Sequence, residues 1–300
     1  MLASLLRRIY LIQLFCGALL GAYAARQLGQ SGANTLPLVL LGTLLLPLLM
    51  QFGVICVSMV QSRPKQAGPL WWRAFGGEFL AALRVYWLQM PWAAKKPGVC
   101  LPELPRQTQP GRLPVLLVHG YICNYRVWDK IVKALQQAGH PVLAITLEPL
   151  FASIDEYTPH IQQAVRQLQQ ATGAVQVALV GHSMGGLVIR AWLRQYGSAD
   201  VDRIITLGTP HQGTQMASWS PTANAAQMAW HSPWLQRLQA SETPARRQLM
   251  HIALTRHDNI VYPQREQVLT HANVTEFSGL GHLELCLDGR VIQWLLQKLH

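Results

Sequence analysis

Residues 177–187 read VALVGHSMGGL, an apolar run that stops on Gly181, followed by Ser183 and then Gly185 and Gly186. With the residues just before it, the run (175–180) reads as a strand buried on both faces, and 185–196 reads as a helix. The G-x-S-x-G between them turns the chain sharply, with small neighbours two positions either side of a strained serine. The helix behind that serine offers unpaired N–H groups and the positive end of a dipole. A strand delivered straight into a helix is one unit of a parallel sheet covered on both faces, so the rest of the chain has to supply the others.

It does so from residue 113 onward. Short apolar runs at 114–118, 142–146, 203–207, 249–254 and 274–277 read as further strands. Amphipathic stretches at 127–138, 154–172 and 291–299 read as helices, the first two stopped by Gly139 and Gly173. Residues 212–247 break the rhythm with Trp219, Trp230 and Trp234 among polar residues and prolines. An insertion of that length is expected to be a cap or lid over a site, the bland alternative being a structural excursion.

Ahead of this region, 9–25 and 36–60 are two runs almost free of charge, each long enough to cross a bilayer. The first also fits a cleaved signal peptide, with Arg7 and Arg8 before an apolar stretch and small residues after it. The second, even with Pro37 and Pro47, is too long for an ordinary core helix. The expected division is a transmembrane helical hairpin over 1–62, a Trp/Arg-rich interfacial segment and proline-rich linker over 63–112, and one α/β domain over 113–300. Trp71, Trp72, Trp87 and Trp92 with Arg73 and Arg84 suit either a membrane interface or a helix packed on that domain.

Charge supports a membrane partner. Residues 1–112 hold 11 Lys and Arg against only two acids, Glu78 and Glu103, whereas 113–300 hold 14 basic and 12 acidic residues. The basic part is thus the apolar part, which favours anionic lipid headgroups over nucleic acid as the counter-charge. Arg and Lys flank both runs and leave the short connection between them with only Arg26 at its edge, so the positive-inside rule puts the C-terminal part on the cytoplasmic side, of the inner membrane in a bacterium. The five cysteines show no CxxC or Cys/His metal spacing and read as free thiols, and no metal or cofactor is expected.

The motif GHSMGG at 181–186 resembles the nucleophile elbow of α/β-hydrolase lipases and esterases. LVHGY at 117–121 resembles the His-Gly loop after their first buried strand, and LGTPHQGT at 207–214 is similar to a strand end and loop of bacterial triacylglycerol lipases. The resemblance covers about 113–300 and implies an α/β-hydrolase fold with a mostly parallel sheet and a lid, here preceded by an α-helical transmembrane hairpin. The opening strand hairpin of the fold is not visible before residue 113, which points to the trimmed lipase type of sheet.

A nucleophilic serine needs a base, and the base an orienting acid. The resemblance implies Ser183 as nucleophile, His282 in GLGHL as base and Asp258 in RHDNIV as acid. His257 is the rival base; His211 and His251 read as structural, Asp200 and Asp202 lie at the wrong end of the sheet, and Glu284 and Asp288 follow the base too closely. The backbone N–H groups of Tyr121 and Met184 are implied as oxyanion donors. The expected activity is hydrolysis of a carboxylic ester, with a lipid acyl ester as the expected substrate. The alternatives are thioester hydrolysis or acyl transfer by the same serine, and a silent adaptor that keeps the fold for binding.

Overall fold

The computed structural model describes residues 1–64, 68–93, 99 and 112–299. Most of the proline-rich linker, residues 94–98 and 100–111, lies outside these residues, as does Cys100. Six strands form one sheet: β1 (Val115–Val118), β2 (Val142–Ile145), β3 (Val177–His182), β4 (Val201–Leu207), β5 (Met250–Thr255) and β6 (Asn273–Phe277). Their order is β2-β1-β3-β4-β5-β6 and every neighbouring pair is parallel. Winding out to β2 and then reversing past β1 creates a switch point between β1 and β3, where the loops leaving the two strands part and open a crevice. Among the described residues no strand precedes β1.

The helices are α1 (Leu2–Gln27), α2 (Leu36–Gln61), α3 (Pro69–Ala82), α4 (Asp129–Gln137), α5 (Thr158–Thr172), α6 (Met184–Tyr196), α7 (Ala223–Met228), α8 (Pro233–Ala240), α9 (Pro244–Gln248) and α10 (Gly289–Lys298). Alternate residues of each strand point to opposite faces of the sheet. Leu116, Val118, Leu179 and Ile204 pack with α5 and α6. Val115, Leu117, Val180 and Ile205 join α4 and α10 in a second cluster, which also takes in Leu2, Leu6, Ile55, Met59 and Trp71 from the N-terminal helices. The N-terminal helices are therefore built into the core layer on that side of the sheet. Each such buried side chain contributes about 1.5–3 kcal/mol.

The two long helices form an antiparallel hairpin whose backbones touch. A Cβ on Gly17 would lie 2.3 Å from the Gly42 carbonyl oxygen, and one on Gly21 2.2 Å from that of Leu38. Small residues allow this approach, the packing mode of helices in lipid. The hairpin meets the sheet domain only along part of its length. Tyr10 donates its hydroxyl to the Tyr86 carbonyl, and Phe52 sits edge-on against Phe75 and Phe79. Beyond those points Leu11, Ile12, Phe15 and Leu19 of α1, and Leu40, Leu41, Leu44 and Leu49 of α2, are exposed. Cys16, Cys56, Cys123 and Cys286 are unpaired thiols.

Candidate active site

Ser183 stands between β3 and α6 with φ 54° and ψ −127°, a conformation that non-glycine residues rarely adopt. The surrounding packing enforces it. A Cβ on Gly185 would lie 2.1 Å from the Val118 carbonyl oxygen, and one on Gly181 2.5 Å from the Gly186 nitrogen. Only hydrogen fits at these positions, so the motif's glycines answer to close backbone approach. Ser183 is 6% exposed, enough to be reached yet largely shielded from water.

Asp258 and His282 arrive from the loops after β5 and β6. His282 Nδ1 and Asp258 Oδ2 are 2.9 Å apart, and both residues are buried. The other carboxylate oxygen, Oδ1, accepts the backbone N–H groups of Ile260 and Val261 at 2.9 and 2.7 Å. These bonds fix the carboxylate and leave Oδ2 free to accept from the imidazole. The end of β4 lies against both the serine and the pair. The Ser183 N–H donates to the Leu207 carbonyl at 2.9 Å, and a Cβ on the next residue, Gly208, would lie 3.1 Å from Asp258 Oδ2 and 3.2 Å from His282 Nδ1. The ring of His182, the residue before the serine, lies 4.6 Å from that of His282. The three residues singled out from the sequence all lie at the C-terminal edge of the sheet, Asp258 and His282 in hydrogen-bond contact.

Burial pulls the His282 imidazole toward the neutral form, but the Asp258 charge, its hydrogen bond and the Glu78 charge outweigh it and hold the ring above the ordinary histidine value. His182 is driven well below that value by burial and by the nearby His282, so it is neutral and hydrogen-bonds the His282 carbonyl at 3.3 Å. His119, lowered to about 4 chiefly by burial, accepts the Leu147 N–H at Nε2, which leaves Nδ1 to donate to the Gly120 carbonyl. It clamps the loop after β1 beside the serine: a Cβ on Gly120 would lie 3.3 Å from Ser183 Oγ. Tyr121 follows on that loop, and Met184 opens α6, where a first-turn N–H has no partner inside the helix.

The other candidates lie elsewhere. His257 accepts the Gly279 N–H, and His211 lies between Arg190 and Thr206. Asp202 pairs with Arg203, and Asp288 caps α10. Residues 212–247 fold into a 3-10 turn, Gln215–Trp219, and the helices α7, α8 and α9. The Tyr121 hydroxyl ties this segment down through Ser220 and Thr222, at 2.8 and 3.1 Å, and its ring packs on the exposed Phe151. Among the described residues no group of three His, Cys, Asp or Glu is disposed to hold a metal.

One participant was not read from the sequence. Glu78 of α3, 1% exposed, accepts the backbone N–H groups of Leu283 and Glu284, next to His282. Its signal was slight: a lone acid in a segment otherwise apolar and basic, which has to be paired once buried.

Residues 114–258 match the alpha/beta hydrolase fold family. A triacylglycerol lipase of Pseudarthrobacter phenanthrenivorans is 35% identical over 119 residues, 36% of this chain and 36% of that protein. A lysosomal thioesterase PPT2 of Bos taurus is 28% identical over 148 residues, 45% of this chain and 48% of that protein. The chain therefore spans about a third to a half of the length of these curated relatives. Among solved structures, Bacillus licheniformis lipase BlEst2 in its propeptide form superposes with a TM-score of 0.57 at 18% identity, over 66% of this chain and 52% of that one. The sheet of this chain has the α/β-hydrolase fold, and the chain is similar over part of its length to triacylglycerol lipases and lysosomal thioesterases.

Proposed function

We propose that this chain is a membrane-anchored serine hydrolase that cleaves carboxylic esters, with lipid acyl esters as its substrates. The observation that supports this reading is Ser183 held at positive φ on the β3–α6 turn, together with a buried imidazole–carboxylate pair 2.9 Å apart at the same edge of the sheet. In the reaction, Ser183 Oγ attacks the ester carbonyl as His282 takes its proton at Nε2, Asp258 fixing the tautomer and stabilising the imidazolium. The Tyr121 and Met184 N–H groups hold the tetrahedral oxyanion. His282 then protonates the leaving alcohol, and a water activated by the same imidazole releases the acid from Ser183. The exposed apolar length of the hairpin anchors the enzyme: α1 beyond Tyr10 spans about 25 Å at 1.5 Å per residue, close to a bilayer's hydrocarbon core. The basic flanks meet anionic headgroups on the cytoplasmic side, and the segment 212–247 acts as the lid.

The full-length protein in detergent should hydrolyse p-nitrophenyl butyrate and label with a fluorescent fluorophosphonate. Ser183→Ala should abolish labelling and lower kcat by at least about 10⁴-fold. Hydrolysis by that variant at the wild-type rate would refute the assignment. A C-terminal reporter active only outside the cytoplasm should stay silent; a signal from it overturns the topology. The similarity to a lysosomal thioesterase favours one second reading, thioester hydrolysis by the same serine. Comparing kcat/KM for palmitoyl-CoA and p-nitrophenyl palmitate decides between them.

A further inference from the structure

The loops that carry Asp258 and His282 rest on the N-terminal helices. Along α3, Arg73 Nη1 donates to the Gly279 carbonyl at 2.8 Å. One turn on, Gly77 leaves space for the Glu284 side chain: a Cβ there would lie 2.0 Å from Glu284 Oε1. Glu78 follows, with Oε1 and Oε2 accepting the Leu283 N–H at 3.1 and 2.9 Å and Oε2 accepting the Glu284 N–H at 3.3 Å. Gly281 makes room in return, since a Cβ there would lie 2.4 Å from Glu78 Oε2. Glu284 turns its own carboxylate back onto the Gly281 N–H at 2.8 Å. The helix and the loop interlock through this whole stretch.

The end of α2 grips the other loop. Ser58 Oγ accepts the Asn259 side-chain N–H at 2.9 Å, and Asn259 Oδ1 accepts the His282 backbone N–H at 3.1 Å. Gln264 donates from Nε2 to both the Ser62 carbonyl and the Asp258 carbonyl, at 2.8 and 2.9 Å. Ser58, Ser62, Glu78 and Asn259 are all at least nine-tenths buried.

We propose that the end of α2 and the length of α3 form the platform that positions the acid and base of the active site, with Glu78 as the positioning residue of His282. This rests on the serine-hydrolase reading above. The membrane-attached segment is then part of the catalytic framework, and α3 sets the imidazole where Ser183 can use it. Glu78 holds the backbone N–H groups of the two residues after His282, so its removal misplaces the ring.

The test uses the full chain in detergent, with fluorophosphonate labelling and p-nitrophenyl butyrate hydrolysis for wild type, Ser183→Ala, Glu78→Ala, Glu78→Gln and Ser58→Ala. Labelling of wild type and not of Ser183→Ala establishes the serine independently of the platform. Should wild type neither label nor hydrolyse, the serine reading fails and the platform proposal fails with it. Glu78→Ala should lower kcat by about 100-fold with KM within about twofold, the cost of a slightly misplaced catalytic group. Glu78→Gln keeps one oxygen for the Leu283 N–H and should recover part of the loss; Ser58→Ala should lower kcat by about 10-fold. A variant that labels to the wild-type end point is folded, so a slow approach to that end point reports positioning. If Glu78→Ala never labels, Glu78→Gln and Ser58→Ala decide. Wild-type labelling rates and kcat in the folded Glu78 and Ser58 variants, or a rise in KM alone, overturn the proposal.

Discussion

His282 lies under opposing influences, and their balance predicts its pH behaviour. Burial favours the neutral ring, but Asp258 and Glu78 together raise its pKa above the ordinary value of 6.5. A general base must be unprotonated, so activity is lost as pH falls through this raised value. The acid limb of kcat/KM for p-nitrophenyl butyrate should therefore have its midpoint above pH 6.5. A midpoint at or below that value would show that the two carboxylates do not act on the ring. Glu78 predicts a second, opposite separation. Burial raises its pKa to about 7, against lowering by His282 and the Leu283 N–H. A carboxyl whose folded pKa is raised contributes stability that is fully present below its unfolded value, near 4.5, and is lost as pH rises through about 7. At pH 8 the ionised Glu78 thus opposes folding while it positions His282. Glu78→Gln should then melt at or above the wild-type temperature at pH 8 while its kcat falls; a lower melting temperature there means that its N–H bonds outweigh the cost of burying the charge.

At the scale of elements, the segment 212–247 is held by a buried charge network. Arg190 of α6, fully buried, donates to Glu242 at 2.6 and 3.0 Å and to the His211 carbonyl at 3.1 Å, and Arg247 reaches the same carboxylate. Glu242→Ala would leave the Arg190 charge buried with only carbonyl and ring partners, so it should cost about 3–5 kcal/mol. Thermal melting checks this, and an unchanged melting temperature would mean that water reaches Arg190. The Arg190–Glu242 pair was not legible in the sequence, because its partners lie 52 residues apart with no shared motif. The strands were legible because a parallel sheet buries both faces and each strand becomes an apolar run. Helix starts were less so: the helices expected from 127 and 154 open as 3-10 turns, Tyr125–Trp128 and Ile154–Tyr157, capped by Asn124 and Ser153. Ser183, Asp258 and His282 were legible through the family resemblance, since each sits in a loop next to a recognisable strand. Glu78 was not, because its role depends on a contact 205 residues downstream.

For the whole molecule, two arrangements make different predictions about the N-terminal third. If the hairpin were a tether, a chain beginning at residue 112 would fold and react as the full protein does. The packing argues otherwise. Removing residues 1–111 strips Leu2, Leu6, Ile55, Met59, Trp71, Ala74 and Val85 from the cluster that covers Val115, Leu117 and Val180, and uncovers Cys123 and Leu285. It also leaves the N–H groups of Leu283 and Glu284 without their carboxylate and Asn259 without Ser58. At about 1.5–3 kcal/mol for each large side chain uncovered, the loss is comparable to the whole stability of an ordinary domain. The shortened chain should therefore be recovered mainly as aggregate, and any soluble fraction should label with fluorophosphonate at least about 10-fold more slowly than the full protein, as expected for a loosened catalytic loop. Labelling the two side by side at equal concentration makes the comparison. Equal rates from a soluble, monomeric fragment would return the hairpin to the part of a simple anchor, and the site would then owe its geometry to the sheet alone.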